Sequence, residues 1–188
     1  MDKPSLCSKR NKPTILIALL ILLGCGQPET SQEPGSVNLK TTDASVIFFN
    51  NIRKSNYDVQ ELDGLNIYRL KGATPSDLMQ ISIAHRWRDD QANVFLEFNE
   101  IEPPIGIKLD ADTAIVTFDG TSVTNHLEAA VHIFRGLNGD SILLSSDGIM
   151  INLRDSSELM KKFRTVMVDY FNLTENRKFV NEITNEGL

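Results

Sequence analysis

Apolar and polar positions follow three different patterns along this chain. Residues 15–23, ILIALLILL, are nine apolar side chains in a row; residues 26–44, GQPETSQEPGSVNLKTTDA, hold almost none; from Ser45 onward apolar residues come in short runs divided by turn formers. Short runs with period two predict strands, and recurrence at three and four predicts helices. Leu65–Lys71 reads as a strand. Ser45–Arg53 fits either element, because its apolar residues suit a strand while Val46, Phe49 and Ile52 recur at a spacing of three.

Three hairpins follow from the same pattern. In Met79–Glu100, a turn at Asp90-Gln91 sets Trp87 against Val94, His85 against Leu96 and Ile83 against Phe98, which makes one face apolar. Ile105–Leu109 and Thr113–Asp119 flank "DAD" as a second hairpin, with Pro103-Pro104 breaking the chain before it. Asp147-Gly148 suits a type I′ turn between SILLSS and IMINL, pairing Leu144 with Ile151 and Ile142 with Leu153.

Two helices are predicted between and after these strands. Asn125-x-x-Glu128 opens the first, which closes near Gly139, and Asp155-x-x-Glu158 opens the second, which runs to about Leu173. The second carries Leu159, Phe163, Val166 and Tyr170 on one stripe with Met160, Met167 and Phe171 beside it. The first has Leu127, Ala130, Val131, Phe134 and Leu137 at matching spacing. The expectation is an α+β domain: an antiparallel sheet built from hairpins, with two helices packed on one face.

The apolar run near the start belongs to a different kind of segment. Lys3, Lys9, Arg10 and Lys12 precede it, and nine apolar residues are under half of the roughly 20 a spanning helix needs, so residues 1–24 read as an export signal. The junction Leu22-Leu23-Gly24-Cys25 resembles the lipobox of bacterial lipoprotein signal peptides, although Leu23 stands where that pattern more often has a small or β-branched residue. The resemblance implies diacylation of the Cys25 thiol, cleavage just before it and a mature chain that begins there. It covers about 25 residues. Gly26, rather than aspartate, resembles the enterobacterial signal for the outer rather than the inner membrane. Residues 25–44 then form a polar tether, and residues 45–188 form a single domain. Of the two cysteines, Cys7 lies in the leader, so the mature chain would form no internal disulfide.

Charge narrows the partners. The chain holds 19 basic and 25 acidic residues; without residues 1–24 these become 15 and 24, a formal −9. An acidic chain with no basic stripe repels phosphate backbones, which argues against nucleic acid.

Candidate chemistry is sparse. His126 and His132 are six apart and do not share a helix face as a zinc pair would. His132, four residues after Glu128, reads as a surface hydrogen-bonded residue, and His85, beside Ile83 and Trp87, as a core or boundary residue. Asp110-Ala-Asp112 lacks the rest of a calcium loop and reads as turn chemistry. The segment HRWRDD is the most function-like: Arg86 and Arg88, on the strand face opposite Trp87, form a candidate contact for an anionic partner. No nucleotide-binding loop or nucleophile elbow occurs, and no metal or cofactor is implied. The expectation is a membrane-anchored accessory or interaction protein of the envelope with an envelope protein as partner. A small-ligand-binding lipoprotein and a hydrolase are the alternatives.

Overall fold

A computed structural model describes residues 39–73, 77–110 and 114–185. The leader and Cys25 lie outside them, as do residues 111–113 of the predicted DAD turn. The described residues belong to one compact unit, Val37–Leu188.

The ambiguous Ser45 segment is helical. α1 spans Asp43–Phe48 and continues as a π-turn over Phe49–Arg53 and a 3-10 turn over Lys54–Asn56. Thr42 and Ser45 cap its start reciprocally: the Thr42 hydroxyl accepts the Ser45 N–H at 3.2 Å and the Ser45 hydroxyl accepts the Thr42 N–H at 3.1 Å. A cap of this kind satisfies two otherwise orphaned donors, which a strand over the same residues would not do. Phe49, in the π-turn, is buried with its ring 4.9 Å from that of Tyr68 and 5.6 Å from that of Tyr57.

The next four strands form one antiparallel sheet in the order β1-β2-β3-β4: β1 is Tyr57–Leu62, β2 Leu65–Leu70, β3 Met79–Arg86 and β4 Gln91–Phe98. β1 escapes the pattern because it is an edge strand, mostly exposed, with a single buried residue at Tyr57. The β3–β4 register differs from the expected one. Ile83 pairs with Val94 and His85 with Ala92, so each partner lies four residues earlier than predicted, and residues 87–90 form a longer turn. A shift of four is even, and the same residues therefore stay on the same face. Ile81, Ile83, Val94 and Leu96 remain in the core as the pattern required.

The other four strands form a second sheet in the order β6-β5-β7-β8, with β5 Ile105–Leu109, β6 Ile115–Phe118, β7 Ile142–Ser146 and β8 Ile149–Asn152. The hairpins thus build two sheets where one was expected. The outward edge of β4 is already taken, since the Leu39 carbonyl accepts the Ala92 N–H at 2.9 Å and His126 Nδ1 accepts the Leu96 N–H at 2.9 Å. A fifth strand has no ladder to join there. The Asp147-Gly148 turn forms with positive φ at both residues, 48° and 82°, and Leu144 pairs with Ile151 as predicted. Ile142 does not pair with Leu153, which has left the strand for a 3-10 turn.

The helices complete an α+β fold. α2, Val123–Arg135, is capped three residues earlier than expected, by Ser122 accepting the Asn125 N–H at 3.1 Å. Asn125 instead accepts the N–H groups of Asp119 and Gly120 and donates to the Thr117 carbonyl, clasping the loop before the helix. α3, Ser157–Leu173, starts from Ser156 and buries the whole predicted stripe against β3 and β4. α2 packs on β4, β5 and β6. A further helix, α4 at Arg177–Asn185, was not anticipated; its Phe179 ring stacks on Phe171 at 5.1 Å.

Folded structure also begins earlier than the predicted tether boundary. Lys40 bridges Gln91 and the Thr41 N–H donates to the Asp90 carbonyl at 2.7 Å, so Leu39–Thr41 run along the end of β4. These contacts are made by backbone groups, which is why polar composition did not reveal them.

Candidate functional site

The HRWRDD segment lies where β3 turns into β4. Arg86 ends β3, Trp87 to Asp90 make the turn, and Asp90 takes a positive φ of 51°. Trp87 keeps 51% of its surface exposed. The two arginines are not both opposite Trp87: the Arg88 guanidinium lies over the Trp87 ring, 5.3 Å from its centroid. Leaving the strand breaks the alternation on which that expectation rested.

Both arginines also have carboxylate partners. Arg88 Nη2 is 2.7 Å from Asp63 Oδ1, and Arg86 Nε is 3.7 Å from Asp89 Oδ2. Asp63 belongs to the β1–β2 turn, where Gly64 takes a φ of 76° and a Cβ would come within 3.1 Å of the Arg88 side chain. Arg88 therefore ties two hairpin tips together. Exposed pairs of this kind are worth about 0–1 kcal/mol in water, so they leave the guanidinium free to exchange partners. Leu62, at the β1–β2 tip, is 48% exposed. The tip thus presents an indole, a leucine and two exchangeable guanidinium groups, beside the entry of Leu39–Thr41 into the fold.

The histidines serve the scaffold. His85 is buried, with Nε2 3.5 Å from the Thr41 hydroxyl. Burial pushes its pKa below the usual histidine value, against the opposing pull of Asp90. The Thr41 hydroxyl and the His85 imidazole lie together as two members of a hydrolytic group do, but both residues are buried. His132 is buried rather than at the surface as expected.

His126 holds the exposed edge of β4 through its Nδ1, so its neutral form must carry the proton on Nε2. Burial lowers its pKa, and a backbone hydrogen bond with Gly120 and the charges of Glu97 and Asp119 only partly oppose this. The unfolded chain therefore takes up protons below about pH 6.5 that the native protein refuses. The resulting stability is complete above that pH and is lost as pH falls toward the folded pKa values. Urea midpoints should drop between pH 7.5 and 5. The double variant His85→Gln/His126→Gln should show a flatter profile; an unchanged slope would place the acid sensitivity elsewhere.

One buried ionic cluster escaped the sequence reading. Asp169 on α3 is 3% exposed, and its two oxygens accept from Arg53 Nε and the Tyr57 hydroxyl, each at 2.7 Å. The cluster raises the pKa of the arginine, chiefly through its hydrogen bond with the carboxylate, and that of the tyrosine, chiefly through burial. It joins the end of α1 and the start of β1 to α3. One signal was available: Asp169 follows Val166 by three residues and so falls on the stripe that α3 buries.

A shallow cleft between α1 and the α3–α4 turn is lined by Ala44, Ser45, Phe48, Asn172, Glu175 and Arg177. Its volume, about 180 Å³, is below the roughly 300–1,000 Å³ of small-molecule sites. Among the described residues, no group of three or more His, Cys, Asp or Glu is arranged to hold a metal ion, and no helix is long and apolar enough to cross a membrane. No family model, curated protein or solved structure matches the chain.

Proposed function

We propose that this is a lipid-anchored protein of the bacterial cell envelope, attached through Cys25, whose α+β domain is an accessory or interaction module. The observation that carries the reading is Leu22-Leu23-Gly24-Cys25, placed behind a cationic segment and nine apolar residues. Two or three acyl chains hold a protein stably, where one holds it only marginally. Gly26 favours the outer over the inner membrane.

The interaction half of the reading is supported by the tip at Arg86, Trp87 and Arg88, which has the exposed aromatic and arginine character of binding surfaces. The scaffold roles of His85 and His126 support it over the hydrolase alternative. An envelope protein is the partner proposed.

Labelled palmitate should enter the wild-type chain, and Cys25→Ala should abolish both the label and the membrane fraction of the protein. Label retained by Cys25→Ala, or absent from both chains, would remove the anchor. Crosslinking in the native envelope should recover a reproducible protein partner, and repeated failure to do so would count against the interaction module.

A further inference from the structure

We propose that the tip formed by Leu62, Trp87 and Arg88 seats in the headgroup layer of the same bilayer that holds the Cys25 anchor, so that the domain rests on the membrane in one orientation. This rests on the lipid-anchored half of the reading above and competes with its protein-contact half, because Trp87 and Arg88 cannot face the bilayer and an envelope protein at once; a protein partner crosslinked to position 87 in the native envelope would overturn it.

The chain enters the fold beside this tip. Thirteen residues, 26–38, separate Cys25 from Leu39. The 14 residue steps from Cys25 to Leu39 span at most about 50 Å even when fully extended, little more than the width of a domain of this size, about 40 Å. Leu39–Thr41 are hydrogen-bonded to Asp90 and Ala92, beside the turn that carries Trp87. Of all parts of the domain, this end is thus held within shortest reach of the bilayer. A surface confined in this way meets the membrane at an effective concentration in the millimolar range, so a weak intrinsic affinity is sufficient.

The chemistry of the tip suits a membrane–water interface. Tryptophan is enriched at membrane–water interfaces because its ring is apolar and its N–H is polar. Trp87 and Leu62 are each about half exposed, on hairpin tips that Arg88 holds together. A guanidinium binds phosphate oxygens in bidentate fashion. Arg88 is paired with Asp63, whose side chain is 88% exposed, and exchanging that carboxylate for a lipid phosphate costs little. Asp63, Asp89 and Asp90 at the same tip offset Lys40, Arg86 and Arg88 in charge. The tip on its own is therefore a poor electrostatic membrane binder, and seating depends on the anchor.

The chain offers its own reporter, because residues 25–188 contain one thiol, Cys25, and one tryptophan, Trp87. The chain from Cys25 to Leu188 is coupled through that thiol to a maleimide lipid in phosphatidylcholine–phosphatidylglycerol vesicles. Trp87 emission should shift to the blue and be quenched by lipids brominated near the headgroup. The same chain mixed uncoupled with vesicles should show neither effect, and coupled Leu62→Ser/Arg88→Ala should show both in reduced form. Emission and quenching alike in coupled and uncoupled chains would overturn the proposal, as would full quenching in the coupled double variant. Chemical coupling supplies the anchor regardless of acylation in the cell, so failure here and failure of the palmitate experiment are separate results.

Discussion

Asp169→Ala should lower the unfolding free energy by about 2–4 kcal/mol, somewhat under the usual cost of breaking a buried ion pair because Arg53 keeps partial access to solvent. The substitution leaves a half-buried guanidinium without its carboxylate and removes the acceptor of the Tyr57 hydroxyl, which lies in the aromatic cluster with Phe49 and Tyr68. The cost is mainly the desolvation of groups that no longer have partners. Tyr57→Phe removes only one donor and should cost about 1–2 kcal/mol. Urea unfolding of both variants checks the order. If Asp169→Ala proved no more costly than Tyr57→Phe, the cluster would not be what fastens α1 to α3.

Phe171→Ala should be at least as damaging, at about 3–5 kcal/mol. Its ring is fully buried and lies 5.2 Å from Phe134 on α2, 5.6 Å from Tyr170 and 5.1 Å from Phe179 on α4. Truncation opens a cavity where three helices meet, and edge and stacked ring contacts are lost together. Phe171→Leu keeps most of the volume and should lose far less. Thermal melts of the two variants give the comparison. Hydrogen exchange adds a second readout, because α4 is tied to the core through Phe179 and should lose protection first in Phe171→Ala. Protection of α4 equal to that of wild type would show that it docks by other contacts.

The features legible in advance were those that neighbouring residues settle among themselves. α3 repeats its apolar residues at helical spacing and ends where its stripe ends. Asp147-Gly148 makes a hairpin because those two residues tolerate positive φ. The caps were harder to place: Ser122 and Ser156 won over Asn125 and Asp155, since any short polar side chain near a helix start can accept the first free N–H. β1 was missed because an edge strand needs little apolar content, and α4 because it follows directly on the end of a longer helix.

The candidate site divides in the same way. Trp87 and its arginines stood out as a cluster of residue types, and the structure adds that they occupy a turn, that Arg88 reaches Asp63, and that the chain enters the fold beside them. None of this has a local signal. The same holds for Asp169, whose partners lie 116 and 112 positions away along the chain.

Local propensity and periodicity were therefore enough to define an α+β chain and most of its elements. Packing alone decided the register of β3 on β4, the division into two sheets, the start of the fold at Leu39 and the burial of His132 and Asp169. The reason is physical: turn chemistry and amphipathic spacing act over a few residues, whereas register, sheet edges and buried charges depend on which distant groups compete for the same hydrogen bonds and the same apolar volume.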